Sequence, residues 1–198
     1  MDPFERLETA TRRLAELTRD RPRTGRAHDD ADDDDGTVAT DAAIGFDPVP
    51  LLRAFDRHGA RVCVIGQIAG ILHGSTELTG DLDLLWDGDQ AQAPALAAAF
   101  AAEQAALTDD DGRPVGPEGL ALPKVQFSSP AASGDCCTPA LPWGDLPVAG
   151  FLDRCVQAVG PEDWTLRWLR LDDLVAMRRA LGRPKDLRRA AELAALRP

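Results

Sequence analysis

The chain has 198 residues, 44% of them hydrophobic, and a formal net charge of −11. This suffices for one core of about 150 residues plus an extension, and no apolar run approaches the ~18–20 residues needed to span a bilayer as a helix. The acidic balance, 33 Asp and Glu against 22 Lys and Arg, disfavours a nucleic acid partner, because affinity for that polyanion rests on basic surface.

The N-terminus lacks the apolar core of a secretory signal, which predicts a cytoplasmic protein. Asp2, Pro3 and Glu5 form a helix-start signal, and Phe4, Leu7, Ala10, Leu14 and Leu17 recur at helical spacing. Next come Arg19, Arg21, Arg23 and Arg26, then Asp29, Asp30 and Asp32 to Asp35, a charge block with little to bury. Residues 1–45 are therefore expected to be a helix plus a flexible charged linker, dispensable for folding, with one domain over 46–198. Setting the six aspartates of the run aside leaves about −5 on the remainder.

From Phe46 the pattern predicts an α+β domain with a mixed sheet. Asp47-Pro48 opens a helix through Phe55, and Val62 to Ile65 reads as a buried strand. Gly66 breaks that strand, Gln67 to Leu72 form a short helix, and Gly74 ends it. Residues 81–86 form the next strand, followed by an Ala-rich helix from Pro94 to Leu107. A hairpin pairs 125–128 with 135–138. A helix over Phe151 to Val159, a strand over Thr165 to Leu169, and helices near 172–181 and 185–196 complete the series. His58 and His73 read as turn or helix-end residues. Cys63, Cys136, Cys137 and Cys155 lack the Cys-x-x-Cys spacing of zinc or redox motifs and read as buried thiols.

Asp81-Leu82-Asp83-Leu84 carries the chemistry. Side chains alternate along a strand, so both carboxylates face one way while Leu82 and Leu84 enter the core. Their Cα atoms are about 6.6 Å apart at ~3.3 Å per residue, and such carboxylates can share Mg²⁺ ions lying ~3.5–4 Å apart. Acid-x-acid spacing is common in a chain with 33 acidic residues; the apolar strand around this pair, directly after a strand, glycine and short helix, sets it apart.

Ile65-Gly66-Gln67, His73-Gly74 and Thr79-Gly80-Asp81-Leu82-Asp83-Leu84 resemble the motif of the DNA polymerase β-type nucleotidyltransferase superfamily, in its small bacterial, toxin-like and antibiotic-modifying branches. Leu171 to Asp186 is similar to the Asp-Leu-Ile-x-x-Lys and Arg-x-Lys-Asp segment that closes many of those proteins. The likeness implies a nucleotidyltransferase-like mixed sheet with flanking helices and a C-terminal helical segment. It further implies Mg²⁺- or Mn²⁺-dependent nucleotidyl transfer from an NTP to an unidentified acceptor, a small molecule, protein or RNA. Asp81 and Asp83 would hold metal. Gly66, Gln67 and the helix start would face the phosphates, and Lys185 would contact a phosphate or pair with Asp186. The third carboxylate must come from a neighbouring strand, either as Asp135, which would complete the metal site or act as the base, or with the amide of Gln126 in that place instead. Gln67 replaces a small residue of the family pattern, and Glu77 stands where relatives often carry Arg. These departures leave a second expectation, a catalytically weakened binding or regulatory partner of toxin–antitoxin type.

Overall fold

The computed structural model describes residues 1–26 and 36–196. The aspartate run Asp29 to Asp35 of the expected linker lies outside the described residues. The fold is α+β, with an eight-stranded mixed sheet among the described residues and a C-terminal helical pair.

Helix α1 (Pro3–Thr18) is capped by Asp2, whose carboxylate accepts from Phe4 and Glu5 N–H while Glu5 reaches back to Asp2 N–H. α2 (Val49–Arg57) leads into β1 (Val62–Val64), α3 (Gly66–His73) and β2 (Leu84–Trp86). Every residue of β1 and β2 is buried, as expected of central strands covered on both faces. After β2 come α4 (Ala93–Ala102), β3 (Ala106–Thr108), β4 (Pro114–Val115), β5 (Lys124–Ser128) and β6 (Ser133–Cys137). The chain closes with α5 (Ala149–Leu152), β7 (Val156–Val159), β8 (Thr165–Trp168), α6 (Leu171–Leu181) and α7 (Pro184–Ala194). The strand order is β4-β3-β5-β6-β2-β1-β8-β7. β2 runs antiparallel to β1 and parallel to β6, and β1 runs parallel to β8.

Four expectations are corrected. The helix drawn through Leu107 stops at Ala102; Gln104 takes a left-handed conformation (φ 55°), and Leu107 then pairs with Phe127 in the sheet. Strand pairing outweighs local helix propensity there. The helix expected over 151–159 ends at Leu152, and Val156 to Val159 form an edge strand paired antiparallel with β8. Cys63 and Cys155 are joined in a disulfide, leaving Cys136 and Cys137 as buried thiols.

The fourth concerns the N-terminus. Leu7 and Leu14 are each 1% exposed and belong to the same core as the sheet, with α1 lying on α3, whereas Leu17 points outward. Residues 36–39 and 41–43 form 3-10 turns. Asp41 accepts hydrogen bonds from the Thr24 and Gly25 backbone, and Ala43 is wholly buried. Ala43 lies so close to Gly80 that a Cβ there would stand 2.6 Å from the Ala43 Cα. The core therefore does not stop at residue 46, and the described part of the expected linker is folded against it.

Leu7→Ala and Leu14→Ala should each destabilise the protein by about 2–5 kcal/mol, the range for buried leucine truncation. Deleting residues 1–45 should lower the melting temperature sharply. Thermal and urea unfolding followed by circular dichroism would measure both; a truncated protein as stable as the full chain would show that α1 adds nothing to the core.

Candidate active site

The site begins where β1 ends. Gly66 starts α3 in the left-handed region (φ 60°), and a Cβ built on it would lie 1.7 Å from Asp83 Oδ2. Both the backbone conformation and the space demand glycine. Ile65 N–H donates to the Asp83 carbonyl at 2.9 Å, and Leu82 N–H donates to the Ser133 carbonyl at 3.0 Å. The segment from Asp81 to Asp83 is thus strung between β1 and β6 just ahead of β2. Leu82 is wholly buried in the core, so the alternation of an extended chain sends Asp81 and Asp83 to the opposite side.

Asp81, Asp83 and Asp135 border a single cavity of about 480 Å³, together with Gly66, Gln67 and Lys185. Gln126 lies directly across from Asp135 in the β5–β6 register and shares its face of the sheet, but Asp135 borders the cavity and Gln126 does not. Thr37 reaches the same wall from the N-terminal segment. Its hydroxyl lies 2.8 Å from that of Thr79 and accepts the Gly80 N–H at 3.1 Å, bracing the residue before Asp81.

The carboxylates oppose one another's charge. Burial, reinforced by Asp83 and then Asp135, holds Asp81 well above the usual carboxylate range, and Arg189 works against this. Burial and the same two aspartates push the Cys137 thiol far up, so it lines the wall as a neutral group. Lys124 Nζ stands 2.8 Å from Asp110 Oδ1 and 3.9 Å from Asp135 Oδ2. Burial disfavours its charge, but the Asp110 hydrogen bond and the charges of Asp135 and Asp110 outweigh that and raise its pKa.

The opposite wall comes from the helical pair. Gly182 ends α6 in a left-handed conformation, and Pro184 opens α7. Arg178, only 4% exposed, donates from Nη1 to Asp186 Oδ1 at 3.1 Å and from Nη2 to Gln67 Oε1 at 3.0 Å. Arg183 donates to the other Asp186 oxygen at 2.5 Å, so two arginines engage the carboxylate that Lys185 was expected to compete for. Arg189 also borders the cavity and is held from behind by Glu77. Leu141, Trp143, Leu174 and Met177 form apolar parts of the wall.

Sequence reasoning did not single out Lys124, Thr37, Trp143, Arg178 or Arg189. For the arginines the available signal was helical spacing: with α6 and α7 adjacent, cations at their facing turns reach one place. Thr37 had no signal, since its role depends on a long-range approach.

Among the described residues no group of three or more His, Cys, Asp or Glu is gathered as a metal cage. Mg²⁺ does not require one. It is commonly held by one or two carboxylates plus substrate phosphates and waters, all oxygen ligands. The mutual repulsion of Asp81, Asp83 and Asp135 is the feature here that a divalent cation would relieve. No family model matches this chain, and no curated protein matches it.

Gly66→Ala should displace Asp83 and lower stability by more than about 2 kcal/mol, a steric and backbone cost together, measured by chemical denaturation. Asp81 makes a prediction with a definite sign. Folding favours its neutral carboxyl, so the linked stability is full below about pH 3.9 and is lost as pH rises through the raised folded value. Without divalent cations, Asp81→Asn should therefore melt higher than wild type at pH 8, with the gap closing toward pH 4. A gap independent of pH would mean that neither burial nor the neighbouring aspartates disfavour the charged form of Asp81.

Proposed function

We propose that the cavity carries out nucleotidyl transfer: an acceptor nucleophile attacks the α-phosphorus of an NTP, and pyrophosphate leaves. The observation that carries this reading is the convergence on one cavity of three sheet carboxylates, Asp81, Asp83 and Asp135 with Lys124 beside the last, and of a mainly cationic set from α6 and α7 in which Asp186 pairs with Arg178 and Arg183. An NTP with its cation has the matching division of charge. Asp81 and Asp83 would hold Mg²⁺ or Mn²⁺, which when bound stabilises charge building on the phosphoryl oxygens. Asp135 would complete that set or take the proton from the acceptor. The backbone N–H groups at the start of α3, next to Gly66, would meet phosphate oxygens, with Arg178, Arg189 and Lys185 on the far side. The sequence motifs around Gly66, Asp81 and Asp83 support membership of the DNA polymerase β-type nucleotidyltransferases.

One observation favours the second reading, binding without transfer. The Gln67 amide is committed to hydrogen bonds within the protein, where the family pattern has a small residue. A regulatory partner of toxin–antitoxin type would keep the cavity and lose turnover.

Among the described residues no helix is long and apolar enough to cross a membrane. The cytoplasm is the proposed location. Disulfides are uncommon there, so persistence of the Cys63–Cys155 bond would depend on burial, Cys63 being 1% exposed.

Incubating the purified protein with each α-labelled NTP, Mg²⁺ or Mn²⁺, and total cell extract should label an acceptor. Asp81→Asn and Asp83→Asn should each abolish labelling while remaining folded, and Asp135→Asn should reduce it by at least about 10²-fold, the scale of a lost general base. NTP binding without labelling under any of these conditions would favour the regulatory reading. Wild-type labelling by the Asp81 or Asp83 variant would remove the metal assignment.

A further inference from the structure

Gln67 and Glu77 are the two places where the chain departs from the family pattern, and the structure joins them. Gln67 is 4% exposed. Its Nε2 donates to Ser75 Oγ and to the Glu77 carbonyl, each at 3.0 Å, while its Oε1 accepts from Arg178 Nη2 at 3.0 Å. The amide therefore uses both donors and its acceptor oxygen to tie three pieces together: the start of α3, the loop after it, and α6. That loop presents the Glu77 carboxylate, which accepts from Arg189 Nε at 2.8 Å, from Arg189 Nη2, and from Arg188 Nη1 at 3.3 Å. The Arg189 hydrogen bond and the charges of Arg189 and Arg188 hold Glu77 below the usual carboxylate range although burial opposes this, so the clasp is ionic at neutral pH. One side chain thus steadies Arg178 directly and Arg189 through the Glu77 backbone.

Arg178 stands in a position that a folded protein would not choose for stability alone. Arg178 is buried, and burial and the neighbouring Arg189 both disfavour its charge, with Asp186 and Asp83 offsetting them. Its Nε is buried and meets no hydrogen-bond partner, a donor left over on a side chain otherwise fixed at Nη1 and Nη2. Across the cavity, Asp81 is disfavoured by Asp83 and Asp135 in the same manner. Burial and a like-charged neighbour act on both walls, and Lys124 beside Asp135 and Asp186 beside Arg178 offset them only in part. A chain of phosphates carrying a divalent cation would relieve both walls at once.

We propose that Gln67 is a positioning residue that fixes Arg178, and through Ser75 and Glu77 also Arg189, as the two-arginine side of a polyphosphate subsite facing the acidic wall. The class of ligand rests on the nucleotidyl-transfer reading; the positioning role does not require turnover. Gln67 then supplies the anion subsite indirectly: where a small residue would let phosphate approach the start of α3, the longer amide brings in a guanidinium from α6.

The test uses the full chain and inorganic tripolyphosphate with Mg²⁺ as the probe, with binding measured by calorimetry at 25 °C. Gln67→Met keeps length and approximate volume while removing all three hydrogen bonds. It should weaken tripolyphosphate binding about tenfold, equivalent to about 1.4 kcal/mol. The Mg²⁺-induced rise in melting temperature should be retained, because the carboxylate wall is untouched. Arg178→Met should lose at least as much affinity, and the Gln67→Met/Arg178→Met double variant should lose little more than Arg178→Met alone, since the two act as one unit. A merely structural role for Gln67 would lower Mg²⁺ response and tripolyphosphate affinity together. Glu77→Gln, at a half-buried position, provides a second variant should Gln67→Met fold poorly; it releases Arg189 and should weaken binding several-fold. Wild-type affinity in Gln67→Met and Glu77→Gln, fully additive losses in the double variant, or no tripolyphosphate binding by the wild-type protein would overturn the proposal. Gln67-dependent tripolyphosphate binding with no labelling from any NTP would sustain it while removing nucleotidyl transfer. Labelling that is indifferent to Gln67 would do the reverse.

Discussion

The site depends on one constraint: an apolar antiparallel pair of fully buried strands, β1 and β2, that must be entered and left through polar residues. Val62 to Val64 pairs with Leu84 to Trp86, and all six side chains are buried. The backbone around them has no water to turn to, so its polar groups must find partners in neighbouring strands. The Ile65 N–H to Asp83 carbonyl bond and the Leu82 N–H to Ser133 carbonyl bond meet that demand. In doing so they fix the two carboxylates at the mouth of the sheet. The cost of burying Asp81 there is met by the packing of Leu82, Leu84 and Leu85, each wholly buried beside it.

The second element of the design is electrostatic. The sheet contributes the anionic wall and the C-terminal helices the cationic one, and each wall is less comfortable than its residues would be apart. Perturbed groups converging in a cleft mark functional sites more often than chance allows, although ion-pair networks also produce them. Here Arg178 belongs to such a network, through Asp186 and Arg183, and also borders the cavity. The network serves to hold it at that border.

Much of this was legible in the sequence where local rules act alone. The strand, glycine turn and short helix from Val62 to Gly74 needed only β-branched runs and the punctuation of Gly66 and Gly74, and the helical pair was placed near 172–181 and 185–196, close to its observed bounds. The α1 cap was readable from Asp2, Pro3 and Glu5. The failures lie where partners are distant. Ala106 to Thr108 and Val156 to Val159 are short edge-side strands whose identity comes from β5 and β8, not from their own residues. Leu7 and Leu14 could be seen to share a face, but nothing local said that α3 would cover it. In the site, Asp81 and Asp83 were legible because they interrupt an apolar run, although the paired strand expected over 81–86 begins only at Leu84. The link between Gln67 and Arg178 spans 111 residues and had no local trace; Gln67 looked like a loss because its partner was invisible.

The strand order has a consequence for how the molecule comes to exist. β1 pairs with β2 on one side and with β8 on the other, and the Val64 to Trp168 pairing joins residues more than half the chain apart. The carboxylate segment also needs β6, and the cationic wall needs α6. The two walls therefore have no independent existence along the folding path. Non-local pairings close large loops before they are rewarded, so such topologies fold slowly for their size. During synthesis, β1, α3 and β2 emerge with their apolar faces uncovered, and the central sheet stays incomplete until β8 follows. A chain that has displayed Asp81, Asp83 and Asp135 still lacks Arg178 and its partner Asp186. The cavity is among the last things the polypeptide acquires, and an unfinished chain would carry the carboxylates without the surroundings that bring them into opposition with the arginines.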